Sequence, residues 1–147
     1  MKKFRSVDEI LGFAINSEIA AHNFYMELAD FVEKPEMAEV LSDMALEELG
    51  HKAKLEAVKA GKIGINEEEV GNLGIADNVE DVIPDAKMNY IDLLVVAMKK
   101  EEAARKLYTD LARIAQEQKV RDIFLKLAQE EANHKLRFEI EYDLTTF

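Results

Sequence analysis

The sequence contains no cysteine and no tryptophan, and it has only two prolines and three histidines among 147 residues. The absence of cysteine excludes disulfides, thiolate-bound zinc, iron–sulfur clusters and a thiol nucleophile. No apolar run is long enough to span a membrane, and the first ten residues lack the apolar segment of a signal peptide. The sequence therefore predicts a cytoplasmic protein that makes no membrane contact.

Basic residues are also scarce relative to acidic ones. With a net charge of −11, the chain has too little positive charge to neutralise a run of phosphates, so we expect no nucleic-acid partner. The remaining composition is 48% hydrophobic and 33% charged, which is typical of a folded protein. At this length the chain can form one domain with a buried core.

Apolar residues recur at intervals of three and four through four segments, which predicts four helices at about 7–32, 35–60, 90–115 and 119–142. Ser6 and Glu9 form a capping-box pattern before the first helix, and Pro35 suits the start of the second. Residues 61–88 hold four of the six glycines and predict a long connection. Two short links and one long crossover predict an all-α fold, a ferritin-like antiparallel four-helix bundle.

The chain also repeats itself at an offset of 83 residues. Residues 15–30 align with 98–113, and 47-EELGHKAKLE-56 aligns with 130-EEANHKLRFE-139. We therefore predict one domain over 1–147, made of a hairpin at about 6–60, a crossover at 61–88 and a second hairpin at about 89–143.

Polar residues interrupt the apolar stripe of each predicted helix near its middle. Each repeat carries one Glu-x-x-His motif, and the third-residue spacing places both side chains on one helix face. The residues on the four stripes are Glu18, Glu48, His51, Glu101, Glu131 and His134.

Four ionised carboxylates in a bundle core are too costly unless their charge is compensated. Two divalent cations would cancel four carboxylate charges. Glu18 and Glu101 would then each bind one metal, Glu48 and Glu131 would bridge both, and His51 and His134 would each add a nitrogen. This set matches the pattern of ferritin-like di-iron and di-manganese carboxylate proteins, and the assignment rests on that match.

Several other polar residues lie near these positions. Glu47, Glu102 and Glu130 are adjacent to the predicted ligands, but a rotation of about 100° per residue predicts that they face solvent. Glu102 is also an alternative to Glu101 as a ligand. His22 aligns with Arg105 in the repeat, so we expect an outer face rather than a metal ligand.

Tyr25 and Tyr108 each lie two turns beyond a predicted Glu ligand. They are either core aromatics or hydrogen-bond donors to a ligating carboxylate. Gly50, between Glu48 and His51, is a candidate for a path by which a small oxidant reaches the site.

The sequence resembles the rubrerythrin-like branch of the ferritin-like superfamily over nearly all of the chain outside 61–88. The matching pieces are Glu18 with Tyr25, 48-ELGH-51, Glu101 with Tyr108, and 131-EANH-134. The resemblance implies two iron ions, a reaction with hydrogen peroxide or dioxygen, electrons from a small redox protein, and a homodimer. The catalytic group would be the di-metal centre itself, and manganese is an alternative to iron.

The chain departs from this family at two points. It lacks the four cysteines of a rubredoxin-type iron domain, so electrons must come from a separate protein or from substrate iron. Ala104 stands where rubrerythrins tend to supply an additional Glu near the third-helix ligand.

Three functions follow from these features. The first is an oxidoreductase of peroxidase or ferroxidase type that reduces peroxide or dioxygen and oxidises Fe(II). The second is an iron storage or delivery protein with a ferroxidase step, although only about five residues follow the predicted fourth helix, where cage-forming ferritins usually add a fifth. The third is a helical interaction module with a vestigial metal site.

Overall fold

Four helices make up the computed structural model, which describes residues 6–61 and 89–147. They are α1 (Val7–Phe31), α2 (Pro35–Gly61), α3 (Tyr90–Ile114) and α4 (Gln118–Thr146). The first three agree with the predicted segments to within one residue at each end, whereas α4 continues four residues beyond its predicted end. Residues 62–88 lie outside the described residues. They make up all of the predicted crossover except residue 61.

The helices begin at the signals that the sequence supplies. The Ser6 side chain accepts a hydrogen bond from the Glu9 amide at 3.1 Å, and the Asn89 side chain accepts one from the Ile91 amide at 2.8 Å. Pro35 is the first residue of α2, where its missing N–H is not needed. The first helix of each repeat therefore begins at a side-chain cap, and the two caps are 83 residues apart.

Two antiparallel hairpins form the bundle, α1 with α2 and α3 with α4, each joined by a three-residue turn. The core divides into two apolar clusters, one around Leu11, Leu55 and Phe124 and the other around Phe24 and Leu41. Along α1 and α4 the first cluster precedes the second, and along α2 and α3 the order is reversed. The second hairpin thus enters from the opposite end of the bundle, which confirms the predicted ferritin-like architecture.

A buried carboxylate that the sequence did not indicate lies near one end of the bundle. Glu141 of α4 is 2% exposed, and it accepts hydrogen bonds from Tyr90 Oη at 2.7 Å and from Lys34 Nζ. These contacts join the α1–α2 turn and the start of α3 to α4. The repeat-equivalent position is Val58, so this interaction belongs to one hairpin only.

Within the described residues, none of the helices is both long and apolar enough to cross a membrane. The polar centre described below lies between the two apolar clusters.

Candidate metal centre

The six residues on the interrupted stripes meet in the interior of the bundle. α1 and α3 contribute one glutamate each, and α2 and α4 contribute one Glu-x-x-His pair each. Every one of these side chains is 5% exposed or less; they are Glu18, Glu48, His51, Glu101, Glu131 and His134. The apolar clusters on either side shield these side chains from water and set their position along the bundle axis.

These side chains form two overlapping groups, each with ligand atoms within 4.8 Å of one another. One group joins Glu18 and His51 to the shared pair Glu48 and Glu131. The other joins Glu101 and His134 to the same pair. The shared carboxylates therefore lie between two potential metal positions.

Each of the six side chains also has one buried atom without a hydrogen-bond partner. The imidazole atoms are the two Nδ1 nitrogens, and the carboxylate atoms are Glu18 Oε2, Glu48 Oε1, Glu101 Oε2 and Glu131 Oε1. A buried polar atom without a partner costs roughly 1–3 kcal/mol. Six such atoms directed at one small volume fit metal coordination, since each is an atom type that binds cations.

The other carboxylate oxygen of each single glutamate is held by a tyrosine. Tyr25 donates a hydrogen bond to Glu101 Oε1, and Tyr108 donates one to Glu18 Oε1. Both phenols are buried, so these hydrogen bonds are shielded from water. The pairing is crosswise between α1 and α3, and it leaves the second oxygen of each carboxylate free for a cation.

Glu47 and Glu130 contact the centre, so the prediction that they face only solvent was wrong. Glu130 Oε2 is hydrogen-bonded to Nε2 of His51, and Glu47 Oε2 is hydrogen-bonded to Nε2 of His134. An ionised carboxylate only accepts, so each Nε2 carries a proton and each Nδ1 faces the centre. Carboxylate partners of this kind orient metal-binding histidines.

The sequence contained a signal for these two carboxylates. Glu47 and Glu130 are equivalent in the repeat and precede the equivalent residues Glu48 and Glu131. Each reaches the histidine on the other hairpin, with 55% and 29% of its side chain exposed, respectively. A long side chain at the edge of the buried face therefore spans the gap between α2 and α4.

The electrostatics of the metal-free centre follow from its burial. Burial raises the pKa of Glu131, and repulsion from Glu101 and Glu18 adds to the rise. Burial also raises the pKa of Glu48, reinforced by repulsion from Glu131. Without cations, these carboxyls compete for a limited number of countercharges.

The two imidazoles supply those countercharges in the metal-free protein. Burial lowers the pKa of His51, but the Glu18 carboxylate 3.5 Å from Nδ1 outweighs it, and the pKa rises to about 9. For His134, interactions with Glu101 and Glu48 outweigh burial and raise the pKa to about 11. Metal binding at Nδ1 must therefore displace protons.

Two other polar residues named from the sequence lie outside the centre. Hydrogen bonding from Arg105 lowers the pKa of Glu102 to about 2, and Lys135 also contacts this carboxylate. His22 Nδ1 donates to the Ala45 carbonyl at 2.9 Å. Neither residue belongs to the two ligand groups.

Comparisons with known proteins agree with this geometry. The family model described as Rubrerythrin matches residues 9–79 and 92–143. A solved hypothetical protein from Pyrococcus furiosus is 30% identical with a TM-score of 0.80, and the match covers 95% of this chain and 89% of that one. No curated protein matches the chain.

A second solved structure shows the same fold at lower identity. It is a protein from Thermotoga maritima described as a candidate ferritin-like diiron-carboxylate protein, 19% identical with a TM-score of 0.76. The match covers 97% of this chain and 98% of that one. The family match spans most of the sequence, and the chain therefore belongs to the rubrerythrin family.

Proposed function

We propose that the chain is a non-haem di-iron protein that reduces peroxide or dioxygen and oxidises Fe(II). The observation that carries this proposal is the pair of buried ligand groups that share Glu48 and Glu131. The rubrerythrin family typically binds iron. A ligand set of carboxylates with one imidazole per group suits iron or manganese, whereas structural zinc favours fewer carboxylates.

The described residues divide naturally between two metal positions. Glu18 and His51 would hold one ion, Glu101 and His134 would hold the other, and the shared carboxylates would bridge them. Four carboxylates and two neutral imidazoles balance the charge of two divalent cations. The four carboxylate charges that destabilise the metal-free centre therefore favour the binding of two metal ions.

A bound pair of ferrous ions would supply two electrons, which with two protons convert one hydrogen peroxide to two waters. The protein side chains prepare the site for that chemistry. Tyr25 and Tyr108 fix the two single glutamates, and Glu47 and Glu130 hold the imidazoles with Nδ1 inward. Burial restricts the centre to small reactants.

Reduction of the oxidised centre requires an electron source outside this chain. The sequence has no cysteine with which to bind an iron–sulfur or rubredoxin-type iron. The proposal therefore includes either a separate electron-transfer protein or Fe(II) itself as the reductant. A homodimer, as the resemblance implies, is part of the same proposal.

The test is a peroxide titration of the iron-loaded, anaerobically reduced protein, monitored by visible absorbance and by assay of the remaining Fe(II). We expect one peroxide to oxidise both ferrous ions of a chain, and added reductant to restore the reaction. Glu139→Gln, an exposed change on α4, should behave like the unchanged protein. Glu48→Ala should abolish both iron binding and peroxide consumption.

Other outcomes separate the alternatives. Retention of many iron ions per chain in a high-mass assembly would indicate storage with a ferroxidase step. Normal folding with no iron uptake would contradict the proposal and favour an interaction module. Iron that binds but oxidises no faster than in buffer would also contradict it.

A further inference from the structure

A pocket of about 420 Å³ opens between α2 and α4 on the histidine side of the centre. Its walls are Glu47, Gly50 and Lys54 of α2 with Glu130 and Asn133 of α4, and both imidazoles line it. None of the four buried glutamates does. The pocket therefore reaches the outer side of the histidines, and the imidazoles separate it from the carboxylates.

The two imidazole rings form the wall of the pocket nearest the centre. Their centroids are 6.3 Å apart and their planes differ by 17°, so the rings lie roughly parallel to each other. A ligand that enters the pocket therefore meets both imidazoles before it meets the buried carboxylates.

Gly50 lines the pocket on the α2 side. A Cβ at this position would meet no atom within 4 Å, so close packing does not require glycine here. Glycine is also destabilising in a helix interior relative to alanine. The equivalent residue on the opposite wall, Asn133, is exposed.

We propose that this pocket is the route by which metal ions and the small oxidant reach the centre, and that Gly50 keeps it open. The inference rests on the proposed function, since it concerns access to the same centre. Glu47 and Glu130 place two carboxylates along the route, beside Lys54 and the two imidazoles, so an entering metal ion meets oxygen ligands before the histidine nitrogens that face the centre.

The test measures the kinetics of metal loading, with Co²⁺ as a spectroscopic probe in stopped-flow mixing. Gly50→Phe adds an aromatic ring at a position that lines the pocket and where a Cβ meets no atom within 4 Å. An obstruction on the route slows association and dissociation by the same factor and leaves Kd unchanged. We expect both rates to fall at least tenfold, with Kd within twofold of the original.

Two further variants serve as controls. Gly50→Ala removes the same helical glycine but adds only a methyl group, so it should slow loading less than Gly50→Phe. Glu39→Phe adds the same ring to an exposed position of α2 outside the pocket and should load at the original rate. If Gly50→Phe does not fold, Asn133→Phe obstructs the opposite wall and should slow both rates in the same way.

The outcomes distinguish this inference from the function on which it rests. If the unchanged protein takes up no Co²⁺, the proposed function fails, and the route fails with it. If it takes up Co²⁺ and Gly50→Phe loads equally fast, the route alone is overturned. A raised Kd with faster dissociation would also overturn it, because Gly50 would then shape the site rather than the access to it.

Discussion

Replacing Glu131 by glutamine should stabilise the metal-free protein while removing its ability to bind two metal ions. Glu131 is 1% exposed and lies among three other buried carboxylates. Burial and the neighbouring Glu101 raise its pKa, so folding forces this group towards its protonated form. The substitution keeps the shape of the side chain but eliminates that cost.

The magnitude follows from the linkage between pKa and stability. Each unit by which folding raises the pKa of a carboxyl group costs up to about 1.4 kcal/mol at pH 7. Glu131 and Glu48 repel each other and share this cost, so the expected gain from replacing Glu131 alone is about 1–3 kcal/mol. At about 2–4 °C per kcal/mol for a chain of this size, the melting temperature should rise by about 2–12 °C.

The pH dependence has a defined sign. A carboxyl whose pKa is raised by folding binds more protons in the folded state, so it lowers stability progressively as pH rises above 4.5. His51, raised from 6.5 to about 9, contributes stability that is complete below pH 6.5 and is lost as pH approaches 9. Metal-free protein should therefore lose stability between pH 5 and pH 9, and Glu131→Gln should reduce that loss.

Urea unfolding of chelator-treated protein at several pH values provides the assay. Glu139→Gln, an exposed change on the same helix, is the control and should alter stability by less than about 0.5 kcal/mol. After metal loading, the unchanged protein should be more stable than Glu131→Gln, because the variant lacks a shared carboxylate. A metal-free Glu131→Gln protein that is less stable than the original at pH 7 would refute the electrostatic reasoning.

Three further substitutions test separate parts of the structure. Glu47→Gln should lower metal affinity by about 10–100-fold without unfolding the protein, as measured by chelator competition. The control, Glu102→Gln on the outer face, should leave metal affinity unchanged. Tyr108→Phe should destabilise the metal-loaded protein by about 1–3 kcal/mol in urea, because a buried carboxylate in α1 loses its donor; an unchanged midpoint would contradict this role. Tyr90→Phe should lower stability by about 1–3 kcal/mol in loaded and metal-free protein alike, and any change in metal affinity would count against its placement away from the centre.

The sequence predicted the helices and the inward positions of the centre because two patterns agreed. Apolar spacing identified the buried face of each helix, and the repeat at an offset of 83 showed that both hairpins interrupt that face at equivalent points. Glu18 and Glu101, for example, occupy equivalent positions on α1 and α3, and both are buried. The spacing within each helix and the repeat were together sufficient for these placements.

Contacts between helices were harder to predict. Tyr25 lies two turns after Glu18 in the sequence, but it donates to Glu101, because α1 and α3 run in opposite directions and the equivalent pairs meet crosswise. Glu47 was missed for a related reason, since helical rotation gives the direction of a Cα–Cβ bond but not the reach of a long side chain. Glu141 breaks the repeat, and its donors come from distant parts of the chain.

Anomalous diffraction from crystals of iron-loaded protein, recorded at the iron absorption edge, would locate the metal ions relative to the six buried side chains. We expect two iron peaks per chain, one bounded by Glu18 and His51 and the other by Glu101 and His134, with Glu48 and Glu131 next to both. The imidazoles should bind through Nδ1, with Nε2 still directed at the carboxylates of Glu47 and Glu130. A single peak, iron bound only at the protein surface, or no iron at the centre would contradict the assignment of these six residues as a di-iron site.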